Sequence, residues 1–119
     1  MKLLVTGGRT LQPGWHSAII GVLDAINQWS PVSEIWHGGA SGTDASANSW
    51  AKDKRIKVIC HRAQWDRYGR GAGPRRNQAM IDARPDLVVV FPGGRGTADC
   101  ASRALDAALD VIDMRKAWR

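Results

Sequence analysis

The sequence predicts an α/β fold in which a mostly parallel sheet of about five strands lies between two layers of helices. Three observations predict it. Short apolar runs alternate with stretches that carry apolar residues at helical spacing, along the whole chain. The run Leu87-Val88-Val89-Val90-Phe91 is continuous and β-branched, the pattern of a strand buried on both faces. The apolar runs ending at Thr6, His37 and Phe91 each pass directly into glycine or Pro-Gly, the punctuation of strand-to-helix turns.

The elements follow in order. Residues 2–6 read as the first strand and stop at Gly7-Gly8. Residues 15–29 place Ile19, Val22, Leu23, Ile26 and Trp29 on one helical face, and Ser30-Pro31 ends that helix. Residues 34–37 form a second strand. Thr43 or Asp44 caps the next helix, one face of which holds Ala47, Trp50, Ala51 and Lys54. Residues 56–60 are a third strand. Residues 62–73, RAQWDRYGRGAG, read as one long irregular loop. Pro74 suits the first position of a helix with Arg75, Arg76 and Asn77 in its first turn, and Pro85-Asp86 breaks that helix. The strand at 87–91 leads to a last helix at 98–109, with Ala101, Ala104, Leu105 and Ala108 inward. Val111-Ile112 begins a final short strand, and the basic tail from Met114 to Arg119 is expected to fray. With no linker, repeat or low-complexity stretch, residues 1–119 read as a single Rossmann-like, three-layer α/β/α domain.

Composition narrows the function. A chain of 119 residues, 44% of them hydrophobic, can bury a real core. No apolar stretch approaches the roughly 20 residues that span a bilayer, and MKLLVTGGRT is too short in its apolar part for a signal peptide. A cytoplasmic protein with no membrane partner is expected. Cys60 and Cys100 read as free thiols. His16, His37 and His61 stand singly and read as packed or surface residues. The cysteines and histidines lack metal-ligand spacing, so neither a metal nor any other cofactor is expected. Seventeen Lys and Arg against 11 acids give a net charge of +6, which favours anionic partners: nucleotides, nucleic acid or phosphorylated metabolites.

Four clusters follow strands or open helices: Thr6-Gly7-Gly8-Arg9, Gly38-Gly39-Ala40-Ser41-Gly42-Thr43-Asp44, Gly73-Pro74-Arg75-Arg76-Asn77 and Pro92-Gly93-Gly94-Arg95-Gly96-Thr97. In an open parallel sheet such turns gather at the carboxyl edge. Glycine lets backbone N–H groups approach a ligand, and a helix N-terminus adds unpaired N–H groups with partial positive charge. Together they form an anion site. Thr43 and Thr97 can add hydroxyls, and Arg9, Arg76 and Arg95 can add forked donors. No Lys follows the glycines as a Walker loop requires, and neither loop has the dinucleotide Gly-x-Gly-x-x-Gly spacing.

The segments "VTGGRT", "HGGASGTDASANSWA", "GPRRNQAM" and "VVVFPGGRGTADC" occur in one order across most of residues 3–105. In these the chain resembles the SLOG superfamily, whose Rossmann-like members include the Lonely Guy phosphoribohydrolases and the DNA-processing protein Smf/DprA. The YspA/YpsA-related branch is the most similar. The resemblance implies a pocket for a nucleotide or nucleotide-derived ligand, contacted by Gly7, Gly8, Arg9, Gly39, Ser41, Gly42, Thr43, Asp44, Arg76, Asn77, Gly93, Gly94, Gly96 and Thr97. It also implies a possible hydrolase. Arg76 is similar to the catalytic arginine of the phosphoribohydrolases, whose glutamate is replaced here by Cys100 with Asp99 just before it. Arg76, Asp99 and Asp44 are therefore the catalytic candidates.

Each has a plainer role. Asp44 can cap a helix, Asp99 can complement a helix dipole, and Arg95 can face solvent. Arg76, in a first helical turn, needs an offsetting anion or a carboxylate such as Asp44 or Asp99. Among six tryptophans, Trp29 and Trp50 fit helical core faces. Trp65 and Tyr68, beside Arg62, Arg67 and Arg70, either stack a base and hold phosphates or pack on a partner subunit. Three functions stay open. They are nucleotide binding with N-glycosidic cleavage, nucleic-acid binding, and an inactive scaffold that pairs with another protein or as a homodimer.

Overall fold

The computed structural model describes residues 1–118. Five parallel strands, β1 (Lys2–Thr6), β2 (Glu34–His37), β3 (Lys57–Cys60), β4 (Leu87–Val90) and β5 (Val111–Asp113), form one sheet in the order β3-β2-β1-β4-β5. The helices are α1 (Trp15–Trp29), α2 (Thr43–Asp53), a single turn α3 (Trp65–Tyr68), α4 (Ala72–Asp82) and α5 (Arg95–Asp106). A short 3₁₀ turn, Gly69–Gly71, joins α3 to α4.

Period-two alternation divides the core between the two faces of the sheet. Leu3 and Val5 of β1, with Leu87 and Val89 of β4, pack against Ile19, Leu23 and Ile26 of α1 and Ala47, Trp50 and Ala51 of α2. Leu4, Val88 and Val90 point the other way, onto Met80 and Ile81 of α4 and Cys100, Ala101 and Ala104 of α5. All four residues of β4 are buried, as a central parallel strand requires. Each fully buried Leu or Val side chain contributes about 1.5–3 kcal/mol.

Several expectations need correction. Residues 62–73 are not irregular throughout, because α3 and the 3₁₀ turn lie within them and α4 already begins at Ala72. Pro74 is therefore the third helical residue, and Arg76 sits in the second turn, further from the positive end of the helix. The last helix starts at Arg95 and ends at Asp106, three residues earlier than expected at both ends. Its buried stripe is Thr97, Cys100, Ala101 and Ala104, so Leu105 falls off the stripe and is 59% exposed. Ala108 lies beyond the helix, exposed. Trp29 ends α1 and is 74% exposed. Val32, past the Ser30-Pro31 break, enters that core cluster instead, its amide donating to Asn27 Oδ1 at 2.9 Å.

The tail does not fray as far as it is described. Met114 donates its amide to the Val90 carbonyl, and the Trp118 ring stands edge-on to Phe91 at 5.2 Å and to Trp15 at 6.2 Å. Arg119 lies outside the described residues. No described helix is long and apolar enough to cross a membrane.

Candidate functional site

The chain builds β1, β2 and β3 outward in one direction, then returns to lay β4 on the other side of β1. Ligand crevices form where strand order reverses, outside the carboxyl ends of the strands. Here that point lies beyond Thr6 and Val90, which are paired in register. The turns after β1, β2 and β4 are tied together there. Gly8 donates its amide to the Pro92 carbonyl at 2.8 Å, and the Gly8 carbonyl accepts from the Thr43 amide at 3.0 Å. Ser41 Oγ donates to the Arg9 carbonyl at 3.0 Å.

Between these turns and α4 opens a cleft of about 1070 Å³. The structure brings Gly7, Gly8, Arg9, Gly39, Ser41, Asp44, Arg76, Asn77, Gly94, Gly96, Thr97 and Asp99 to its wall, together with Arg95. Gly42, Thr43 and Gly93 are not part of that wall. A Cβ on Gly42 would meet the carbonyl oxygens of Gly8 and Arg9 at 2.5 Å. A Cβ on Gly7 would meet Thr43 Oγ1 at 2.5 Å, and one on Gly93 would meet the Gly8 nitrogen at 2.7 Å. These close approaches let the three turns nest. Thr43, 1% exposed, packs against Gly7. A smaller, more open hollow of about 470 Å³ shares only Arg9 with the cleft.

Arg76 reaches neither Asp44 nor Asp99 by a direct ion pair. Its Nη1 donates to the Gly38 carbonyl at 2.9 Å and, more weakly, to the His61 carbonyl at 3.4 Å. Its Nε donates to Asn77 Oδ1 at 2.9 Å. Asn77, 3% exposed, donates in turn to the Gly96 carbonyl at 3.1 Å and to Asp99 Oδ2 at 3.0 Å. The guanidinium is therefore aimed by neutral oxygens and keeps its positive charge uncancelled by a close carboxylate.

The two acids occupy opposite environments. Asp44, 7% exposed, accepts from the Gly38 amide at 3.2 Å and the Ala40 amide at 3.1 Å. It does not cap α2, which begins after Gly42 without a side-chain cap. Burial pushes its carboxyl above the ordinary range, against the opposing pull of those amides and the nearby Arg76 charge. Asp99 is penalised by burial too, but hydrogen bonds from Arg103 at 2.9 Å and from Asn77 outweigh that and hold its carboxyl below the ordinary range. Cys100 is 0% exposed in the core, its thiol pushed up to about 11 by burial. Of the adjacent pair, only Asp99 faces the cleft.

His37 is packed, as its isolation suggested. Its Nδ1 accepts from the Gly39 amide at 2.9 Å, which leaves Nε2 protonated toward Asn48 Oδ1 at 3.1 Å. His61 rests beside Trp36 and is held below its ordinary pKa by burial and by the nearby Arg76 charge.

The start of α5 is the other chemical feature. Gly94 precedes it and no side chain caps it among the described residues. Gly94 and the helix's first residues Arg95, Gly96 and Thr97 line the cleft, where Arg62, Trp65 and Arg70 also contribute to the wall. Those three sit in the basic, aromatic stretch that the sequence marked, although not among the contacts implied by motif. Arg103 carried no signal beyond its spacing of four from Asp99. Among the described residues no three His, Cys, Asp or Glu side chains gather as a metal site would require.

The fold is shared with the X-ray structure of DNA processing protein A (DprA) from Streptococcus pneumoniae, with a TM-score of 0.73 over 94% of this chain at 20% identity. This chain spans 49% of that one, about half its length. Gene 61 protein of Mycobacterium phage D29 is 39% identical over 122 residues, covering 94% of both chains. Residues 1–68 match the model of the YspA, cpYpsA-related SLOG family. Those residues carry the nested turns after β1 and β2 and the arginine-rich start of the connection from β3 to α4, and with the phage relative's near-full coverage they establish that the chain belongs to the YspA, cpYpsA-related SLOG family.

Proposed function

We propose that the cleft binds a nucleotide or nucleotide-derived phosphate ligand, its phosphate set against the start of α5. The observation that carries this reading is the uncapped N-terminus of α5 in the wall of a cleft that Arg9, Arg62, Arg70 and Arg76 also line. Unpaired N–H groups and a positive helix end favour an anion, and a guanidinium already aimed by carbonyl oxygens loses little freedom in meeting one. Family membership supports the same reading.

The reading extends to hydrolysis of an N-glycosidic bond. In that reaction the C1′–N bond breaks, the base departs with the bonding pair, and water supplies the oxygen that C1′ gains. A proton must reach the departing nitrogen, and the attacking water releases one, which restores the donor at the end of the cycle. Asp44 is suited to carry it, because burial favours its protonated form. Ionised Asp99 is suited to offset positive charge developing on the sugar. Arg76 orients the phosphate-bearing end.

The structural neighbour is a DNA processing protein, which motivates a second reading: nucleic acid held along the same basic rim. A thermal-shift panel separates the two. It comprises nucleoside monophosphates, cyclic and dinucleotides, NAD, ADP-ribose and a short DNA oligomer. A ligand at a hundred times its dissociation constant stabilises by about 2.7 kcal/mol, several degrees at this size. The expected result is a nucleotide hit that Arg76→Ala abolishes. A flat nucleotide panel with a DNA shift that collapses as salt rises would transfer the cleft to nucleic acid.

A further inference from the structure

We infer that Trp65 is the platform on which the base of the ligand stacks, so that the cleft selects a base-bearing nucleotide over the bare sugar phosphate. The inference rests on the nucleotide-binding reading above and adds which part of the ligand is recognised, and by what.

Two aromatic residues lie on the strap that leads from β3 to α4, and the structure gives them different work. Tyr68 is engaged within the protein. The guanidinium carbon of Arg75, from α4, lies 4.3 Å from its ring centroid and that of Arg67 lies at 5.1 Å. These contacts pin the strap to α4. Trp65 belongs to neither apolar cluster of the core and is 49% exposed. It is nevertheless fixed. The benzo end of its indole lies over Gly73, where a Cβ would come within 3.2 Å of Cη2. Gly73 is buried, so the ring occupies the space that any side chain there would take. An indole seated at one end and open elsewhere forms part of the cleft wall, with Arg62 and Arg70 beside it. Leaving that much aromatic surface in water is unfavourable, and a planar heteroaromatic base is the group whose shape covers it. The flanking arginines keep that part of the wall positive, which suits an anionic ligand. Stacking accepts any base, because every base has a π-face.

The test is equilibrium binding of AMP, GMP, CMP, UMP and ribose 5-phosphate to the wild-type chain, Trp65→Ala and Trp65→Phe. The tightest monophosphate is expected to bind the wild type about tenfold or more tighter than ribose 5-phosphate. Trp65→Ala should bring it to the level of ribose 5-phosphate, whose own affinity stays unchanged, and Trp65→Phe should restore most of the difference. Equal weakening of both ligands in Trp65→Ala would mean that the residue only supports the strap, and would overturn the inference. So would an unchanged monophosphate affinity, or a Trp65→Ala effect confined to oligomeric state by light scattering. If both ligands bind the wild type equally, the inference alone fails. If none binds it, the proposed function fails as well.

Discussion

Asn77 aims its own neighbour: its side-chain carbonyl accepts from Arg76 Nε at 2.9 Å, while its amide nitrogen holds the Gly96 carbonyl and Asp99 on the facing helix. One buried side chain thus links the guanidinium to the first turn of α5. Asn77→Ala removes all three bonds and is expected to cost about 1–3 kcal/mol of stability. It should also weaken phosphate-ligand binding several-fold with Arg76 intact, because the guanidinium is freed. Urea unfolding and ligand titration of the one variant check both parts. Unchanged binding would show that Arg76 is held adequately by the carbonyls of Gly38 and His61.

The glycines after β4 divide into two kinds. A Cβ on Gly93 would meet the Gly8 nitrogen and the Thr97 hydroxyl, whereas one on Gly94 or Gly96 meets nothing within 4 Å. Gly93→Ala should therefore destabilise the chain by roughly 2 kcal/mol or more, as overpacking does. Gly96→Ala lies inside α5 and should leave the fold neutral or gain up to about 1 kcal/mol from helix propensity. It should still lower ligand affinity, by placing a methyl group in the cleft wall. Melting curves with and without ligand separate the two effects, and a Gly96→Ala chain that melts lower than wild type would contradict the division.

What was legible in the sequence was what depends on local pattern. The strand-to-helix alternation, the fully buried β4 and the glycine turns all express periodicities of two and 3.6, and these do not change on folding. The failures came from helix ends. The Gly-Thr motif suggested that the last helix starts after Thr97, but α5 already begins at Arg95, so its buried stripe centres earlier and Leu105 faces out. Trp29 has the correct spacing from Ile26 but lies where α1 runs out, and Val32 takes the core position instead. In the site, the turns were visible as motifs; Arg76 was expected to need an anion or a carboxylate beside it, and the contacts it makes within the protein are instead carbonyl oxygens just past β2 and β3. No sequence pattern records such a contact, because backbone oxygens exist at every position.

Three helices end on a left-handed residue that is not glycine. Arg55, Arg84 and Ala108 follow α2, α4 and α5 with φ of 58°, 57° and 58°. After α5 the Leu109 amide returns to the Ala104 carbonyl at 3.1 Å and the Ala108 amide to Leu105 at 3.0 Å, the paired bonds of a Schellman turn. A left-handed conformation costs an L-residue about 1–2 kcal/mol, and glycine avoids that at some cost in chain entropy. Ala108→Gly should therefore stabilise by about 0.5–1 kcal/mol, raising the melting temperature by a few degrees without touching the cleft. A lower melting temperature would mean that unfolded-chain entropy outweighs the strain.

Asp44 and Asp99 give the chain opposite pH dependences. The Asp44 pKa is raised on folding, chiefly by burial, so the folded state holds that proton more tightly than the unfolded chain. Stability from this group falls as pH rises from about 3.9, the ordinary aspartate value, through the folded pKa, and the loss persists above it. Asp99 has a lowered pKa because the bonds from Arg103 and Asn77 outweigh its burial. Its contribution is present above the unfolded value and is lost as pH falls through the folded one. Asp44→Asn preserves an oxygen for the Gly38 and Ala40 amides while removing the titration. That variant should be more stable than wild type at pH 7 and lose the downward slope that begins near pH 4. It should bind a phosphate ligand at least as tightly, because the amide can never present a negative charge to it, and lose any N-glycosidic cleavage. Urea unfolding at pH steps from 4 to 8, with binding and turnover measured on the same preparation, tests all three. A variant that unfolds with the wild-type slope would show that Asp44 ionises as freely in the cleft as in water, and would remove it as a proton donor.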